Sequence, residues 1–174
     1  MNNFRFAPRV LPALALLAGF LVAGVSHGEV LGEHGDWVAS KESESGKPVC
    51  FISSGPQKSE GNYTKRGTVY AIVTHRPADK SFGVVSFQAG YTLKPDAAVS
   101  VSIDGRSPFN LFAQGEFAWT REAADDKALV AAMRAGSTMV VKGVSSRGTE
   151  TTDTYSLSGI TAALGAINKA CGVK

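Results

Sequence analysis

Apolar and polar residues alternate along much of the chain, most cleanly at Val99-Ser100-Val101-Ser102-Ile103. A period of two places the three aliphatic residues on one face of a half-buried strand. Asp104-Gly105, both tolerant of positive φ, then supplies a hairpin turn. Phe109 and Leu111 return on the partner strand, followed by Phe117 and Trp119. Upstream, Trp37 is the first core residue of a short strand, and the charged run Lys41 to Lys47 reads as a hairpin loop. Pro48 to Ser53 is apolar on both faces, which predicts a central strand with proline at its tolerated first position. Residues 54–67, rich in glycine and charge, form the longest loop-like segment. Further strands are expected over 68–75, which Arg76-Pro77 ends, and over 81–88.

The period changes late in the chain. Thr120 to Ala135 reads as a helix: Thr120 is positioned as N-cap, acids crowd the early turns, and Gly136 stops it. Its apolar stripe is Ala128, Leu129, Ala132 and Met133. A hairpin follows, 137–142 and 149–157 around a turn at Ser145 to Gly148. The closing helix has Ser158 as its cap, Ile160, Ala163, Leu164 and Ile167 on one face, and Gly172 after its end. About eight or nine short strands with two short helices in the C-terminal half predict an all-β, single-domain β-sandwich. The elements do not alternate as βαβ units, so a doubly wound parallel sheet is disfavoured.

The N-terminus breaks this pattern. Arg5 and Arg9 precede an uncharged apolar run from Val10 to Val25, and Ser26-His27-Gly28 offers small residues for a signal peptidase. Residues 1–28 are expected to be a signal peptide, leaving 29–174 as the domain. The apolar run is short of the roughly 20 residues a membrane span needs and contains Pro12, so a membrane-spanning protein is not expected. Removing two arginines and no acids lowers the formal charge from +3 to +1. No run of Lys or Arg points to nucleic acid.

Two cysteines, Cys50 and Cys171, remain after processing, in a compartment where disulfides persist. An intrachain bond is favoured over two free thiols or an intermolecular bridge. It would close a loop of about 120 residues, worth about 4–5 kcal/mol by chain entropy.

Candidate chemistry is sparse. His34, His75, Cys50 and Cys171 lack metal-ligand spacing, so no metal or other cofactor is expected. His75 reads as an exposed strand-end residue. No G-x-S-x-G elbow or phosphate-cradling loop occurs. The adjacent Asp125-Asp126 pair is explained by the helix dipole rather than by acid–base work. The remaining cluster is Lys58, Tyr63, Lys65 and Arg66 in the long loop, with His75, Arg76 and Arg147 as companions. A basic and aromatic loop of this kind can bind an acidic surface or a glycan, or can simply be solvated.

Several stretches together resemble the invasion-associated locus B family. They are Gly35-Asp36-Trp37, Val49-Cys50-Phe51-Ile52, Lys58 to Arg66, Thr74-His75-Arg76-Pro77, Val101 to Gly105, and Ser145 to Gly159 with its helix and Cys171. The resemblance implies an exported β-rich domain of alphaproteobacterial type, with founding members linked to host-cell invasion and no enzymatic residue set. Many relatives carry a further cysteine soon after the tryptophan; here that region is Ser40-Lys41, so their near-N-terminal bridge cannot form. The leading expectation is a non-enzymatic periplasmic or secreted protein that binds a protein, envelope or host-surface component. The alternative is a periplasmic small-ligand-binding protein or enzyme with a pocket between the sheets.

Overall fold

The structure, a computed structural model, describes residues 28–106 and 108–173. The expected signal peptide lies outside the described residues, apart from Gly28. Eleven strands and two helices follow in order: β1 Glu29–His34, β2 Trp37–Glu44, β3 Lys47–Ser54, β4 Lys58–Gly61, β5 Tyr70–Arg76, β6 Ser81–Gln88, β7 Val99–Ile103, β8 Phe109–Gln114, β9 Phe117–Trp119, α1 Ala123–Ala135, β10 Thr138–Val144, β11 Glu150–Ser156 and α2 Ile160–Cys171. All the strand pairs are antiparallel, in the spatial order β1-β2-β3-β5-β6-β9-β8-β7-β10-β11-β4.

This ribbon of strands folds over at β8. The first half of β8 pairs with β7 (Val99 opposite Leu111), and its second half pairs with β9 (Phe112 opposite Trp119). Two facing layers result, as the expected sandwich requires. Trp37, Ile52, Val73, Val85 and Phe87 from one layer join Val101, Met139, Val141 and Tyr155 from the other in a single core. The Phe87 and Tyr155 rings meet edge-on at 6.4 Å. The indole N–H of Trp37 crosses the gap to donate to the Ser156 carbonyl at 3.0 Å.

Two strands exceed the expected count. β1 and β4 are the edges of the sheet, and β4 is exposed at every position. Edge strands tolerate charge and need no apolar alternation, so Lys58-Ser-Glu-Gly61 carries no strand signature. The charged run after Lys41 is likewise strand rather than loop. β2 continues to Glu44, and the turn shrinks to Ser45-Gly46, both at positive φ (51° and 78°), the geometry of a two-residue hairpin.

The helix caps also differ from expectation. α1 starts after Glu122, and the Thr120 hydroxyl donates to Asp126 instead of capping. α2 is preceded by Gly159 in the left-handed region (φ 88°) rather than capped by Ser158. A Cβ at position 159 would collide with the His34 carbonyl. Asp36 N–H donates to the Ser158 carbonyl at 3.1 Å in the same seam. The β1–β2 turn and the start of α2 thus approach more closely than any side chain would allow.

α2 lies across β1, β2, β3 and β5, and α1 packs on β6 and against α2. Ile160, Ala163, Leu164 and Ile167 are all buried. Each of the three larger side chains contributes about 1.5–3 kcal/mol before ordering entropy is subtracted.

Candidate functional site

The sandwich is closed differently at its two ends. At one, Cys50 of β3 is bonded to Cys171 at the end of α2. His75, the register partner of Cys50 on β5, is 4% exposed rather than a free strand-end residue. The His75 Nε2–H donates to Asn168 Oδ1 of α2 at 2.8 Å, and Nδ1 accepts from the Gly83 N–H at 2.9 Å. Burial lowers its pKa from the usual 6.5, against a smaller opposing effect of the Asn168 hydrogen bond. Both ring nitrogens are satisfied in the neutral form, so His75 is a structural histidine that joins the sheet to the helix.

Asp126 completes this end. It is buried in α1, accepting from the Val85 N–H at 2.8 Å and the Thr120 hydroxyl at 2.7 Å. The dipole alone does not account for it: Asp126, Leu129 and Met133 share one buried face at helical spacing.

At the other end lies a polar assembly centred on Arg66. Its guanidinium donates from both terminal nitrogens to Asp153 of β11, at 2.7 Å each, and its Nε–H donates to the Ala89 carbonyl at 2.7 Å. The two side chains are only 6% and 5% exposed. Ser59 of β4 donates a further 2.7 Å bond to Asp153. The Tyr63 and Tyr91 rings lie against the guanidinium, at 5.5 and 5.1 Å. Burial works against the Arg66 charge, but the hydrogen bonds and charge of Asp153, aided by Tyr63, outweigh it and raise the pKa. The Tyr155 phenol beneath is pushed well up, first by burial and then by the Asp153 charge.

This assembly is the foundation of a surface groove of about 560 Å³. Its walls are residues 62–65 of the long loop, Tyr91-Thr92, and Ser145, Ser146, Arg147 and Thr149 of the β10–β11 turn, with Thr151 beside them. The walls are tied together. Ser146 N–H donates to the Thr92 carbonyl and Ser145 N–H to the Thr149 carbonyl, each at 2.8 Å, while Tyr91 Oη and Thr151 Oγ1 are 2.6 Å apart. Gly67 N–H donates to the Gly90 carbonyl at 2.8 Å. Gly90 (φ 72°) admits no Cβ, which would meet the Gly67 carbonyl at 2.6 Å. Among the described residues, the charged side chains lining the groove are Lys65 and Arg147, both exposed, and no carboxylate lines it.

The seven residues singled out by sequence are therefore divided. Tyr63, Lys65 and Arg147 come together on the groove, and Arg66 lies behind it, committed to Asp153. Lys58 sits on the exposed edge strand and pairs with Glu60 at 2.8 Å. His75 belongs to the α2 end, and Arg76 pairs with Glu44 beside a separate hollow of about 210 Å³. Tyr91, Asp153 and the Ser/Thr wall were missed. Asp153 had a signal: period two along β11 puts it inward between Thr151 and Tyr155, and a buried carboxylate demands a partner.

Between the two layers the packing leaves a cavity of only about 10 Å³, too small for anything beyond a water molecule. Among the described residues no cluster of three or more His, Cys, Asp or Glu is placed to hold a metal. No helix of the described residues is long and apolar enough to cross a membrane.

Comparison with known proteins gives one result. The family described as Invasion associated locus B (IalB) protein matches residues 37–168. Neither the curated proteins nor the solved structures contain a match. The family match runs from Trp37, the first core residue of β2, to Asn168, the α2 partner of His75. It thus takes in every strand but β1, α1, the groove and most of α2, and on that extent the chain belongs to the invasion-associated locus B family.

Proposed function

We propose that this protein is exported and acts by binding rather than by catalysis, with the groove over Arg66 as its contact site for a protein, envelope or host-surface component. The observation that carries this reading is a surface groove with cationic, aromatic and hydroxyl-bearing walls, held rigid by a buried ion pair. Among the described residues lining it there is no carboxylate, histidine or cysteine to serve as base or nucleophile. The cavity between the layers beside Arg66 has only about 10 Å³, which supports recognition at the surface.

Export is supported by the Cys50–Cys171 bond, which suits an oxidising compartment, by the leader-like sequence of residues 1–28, and by family membership. A periplasmic or secreted location follows from the same reading. Because the family description names invasion, host-surface components are included among the partners proposed.

The test is a pull-down from envelope extract and from host-cell surface extract, using the wild-type protein and Lys65→Glu/Arg147→Glu. Partners captured by the wild type are expected to be lost by the charge-reversed protein. Capture that is indifferent to both substitutions removes the groove from the function. A strong thermal shift with a small molecule, without any captured partner, favours a small-ligand-binding protein instead.

A further inference from the structure

We infer that the groove takes an acidic carbohydrate, a sugar chain bearing carboxylates, in preference to a peptide, a neutral glycan or nucleic acid. This rests on the groove being the binding site. Three features of its walls narrow the ligand class.

The first is charge. Lys65 and Arg147 are exposed and supplied by different walls, and among the described residues no carboxylate lines the groove to oppose them. Arg66 and Asp153 neutralise each other behind the groove, so the charges on its walls are those of the two cations, with the exposed Glu150 next to the walls in sequence, between Thr149 and Thr151. An anionic ligand is favoured, but two cations are too few for the phosphate tracking on which nucleic-acid affinity depends.

The second is the polar character of the lining. Hydroxyls of Ser146, Thr92 and Thr149 and the amide of Asn62 can both donate and accept, matching sugar hydroxyls that do the same. Among the described residues no aliphatic residue or phenylalanine lines the groove, so they offer a peptide no pocket for an apolar anchor of the kind that carries protein interfaces. The walls are loops and a turn, with Thr151 of β11 beside them; β4, whose free edge an extended peptide would need for strand addition, is not part of them.

The third is Tyr63. It is 36% exposed and steadied from behind by Arg66. A fixed aromatic ring at a polar surface suits the apolar C–H face of a sugar ring. The groove volume falls in the range of small-ligand sites and accepts a short stretch of an oligosaccharide.

The experiment is calorimetric titration of the purified protein with an oligogalacturonate of defined length. The same oligomer reduced at its carboxyl groups and an oligoglutamate of equal charge serve as comparisons. The oligogalacturonate is expected to bind, with both comparison ligands at least about tenfold weaker. Lys65→Glu/Arg147→Glu should abolish binding with its thermal midpoint unchanged, and Tyr63→Phe, which keeps the ring against Arg66, should retain binding that Tyr63→Ala weakens about fivefold. Acidic polysaccharide from the producing cell's envelope and hyaluronan, tested in parallel, separate an envelope source from a host source.

Equal affinity for the reduced oligomer or for oligoglutamate overturns the inference. So does binding that survives the charge reversal. If no acidic sugar binds while Lys65 and Arg147 still govern capture from extracts, the ligand class is wrong and the groove remains the site. If the substitutions affect neither measurement, both readings fall.

Discussion

The two ends of the sandwich solve the same problem with different chemistry. Each fastens a distant segment onto the sheet, and β6 runs from one to the other, with Gly83 serving His75 near its start and Ala89 serving Arg66 just beyond its end. At the α2 end the fastening is covalent and apolar: one disulfide, four buried helix residues and a neutral histidine. At the groove end it is ionic and aromatic: a bidentate pair and two tyrosines. Apolar burial and a disulfide stabilise outright. A buried ion pair roughly breaks even against desolvation, but it fixes geometry and is costly to break halfway. Stability is thus concentrated under α2, while the groove end uses polar groups that hold a solvent-facing surface in one shape.

The largest expected effect breaks the polar end. Asp153→Ala leaves the Arg66 guanidinium buried without its carboxylate and should cost about 3–5 kcal/mol by urea unfolding. Replacing both partners, as Arg66→Met/Asp153→Leu, should recover much of that stability while loosening the loop that carries Tyr63 and Lys65. A double replacement as damaging as Asp153→Ala would mean that the pair stabilises in its own right, and the contrast between the ends would fail.

Breaking the other end comes next. Cys171→Ser should lower stability by about 2–5 kcal/mol and let the end of α2 fray, with the sheet intact by far-UV circular dichroism. Adding Cys50→Ala should recover little, because a lost cross-link leaves no charge to neutralise. Non-reducing digestion and mass spectrometry must yield a Cys50–Cys171 peptide from the wild type. Ready alkylation of both cysteines in the native, unreduced protein would sink this account of the C-terminus.

The same contrast governs what could be read from the sequence. The α2 end was largely legible: Ile160, Ala163, Leu164 and Ile167 sit at helical spacing, and two cysteines have one intrachain pairing. Local periodicity and counting sufficed there. The groove end was not, because the separation of 87 residues between Arg66 and Asp153 leaves no local trace of their pairing. The loop's basic character was visible, yet it could not distinguish the cation that faces solvent from the one that is buried. His75 was misplaced for a related reason. Its partner Asn168 lies 93 residues away, and Arg76-Pro77 signals a strand end, not whether a helix covers it. β1 and β4 escaped because edge strands need no apolar face.

A smaller effect separates the ends by pH. The pKa of His75 is lowered in the fold, so folding favours its neutral form. The associated stability is fully present above the usual histidine value of 6.5 and is lost as pH falls through the folded value. Protonation would also set an Nδ1–H against the Gly83 N–H that it now accepts. Thermal midpoints measured from about pH 7 down to about pH 5 should therefore fall more steeply for the wild type than for His75→Gln. Parallel slopes would remove His75 as a source of acid sensitivity at this end.

The smallest expected effect on stability falls on Lys65, and its neighbour Arg66 sets the contrast. Lys65 and Arg66 are adjacent cations, yet Lys65 is exposed on the groove and the Arg66 side chain is 6% exposed behind it. An exposed charge replaced at the surface shifts stability by no more than about 0.5 kcal/mol, so Lys65→Glu should unfold with the wild type in urea. Arg66→Lys keeps the charge but loses the planar fork that holds both Asp153 oxygens and the Ala89 carbonyl. It should be measurably destabilised, though less than Asp153→Ala. Partner capture should show the reverse order, with Lys65→Glu impaired at full stability and Arg66→Lys impaired only as far as the loop loosens. If Lys65→Glu unfolds as easily as Arg66→Lys, the loop is held by its charges collectively, and the division between a buried foundation and a free contact surface does not exist.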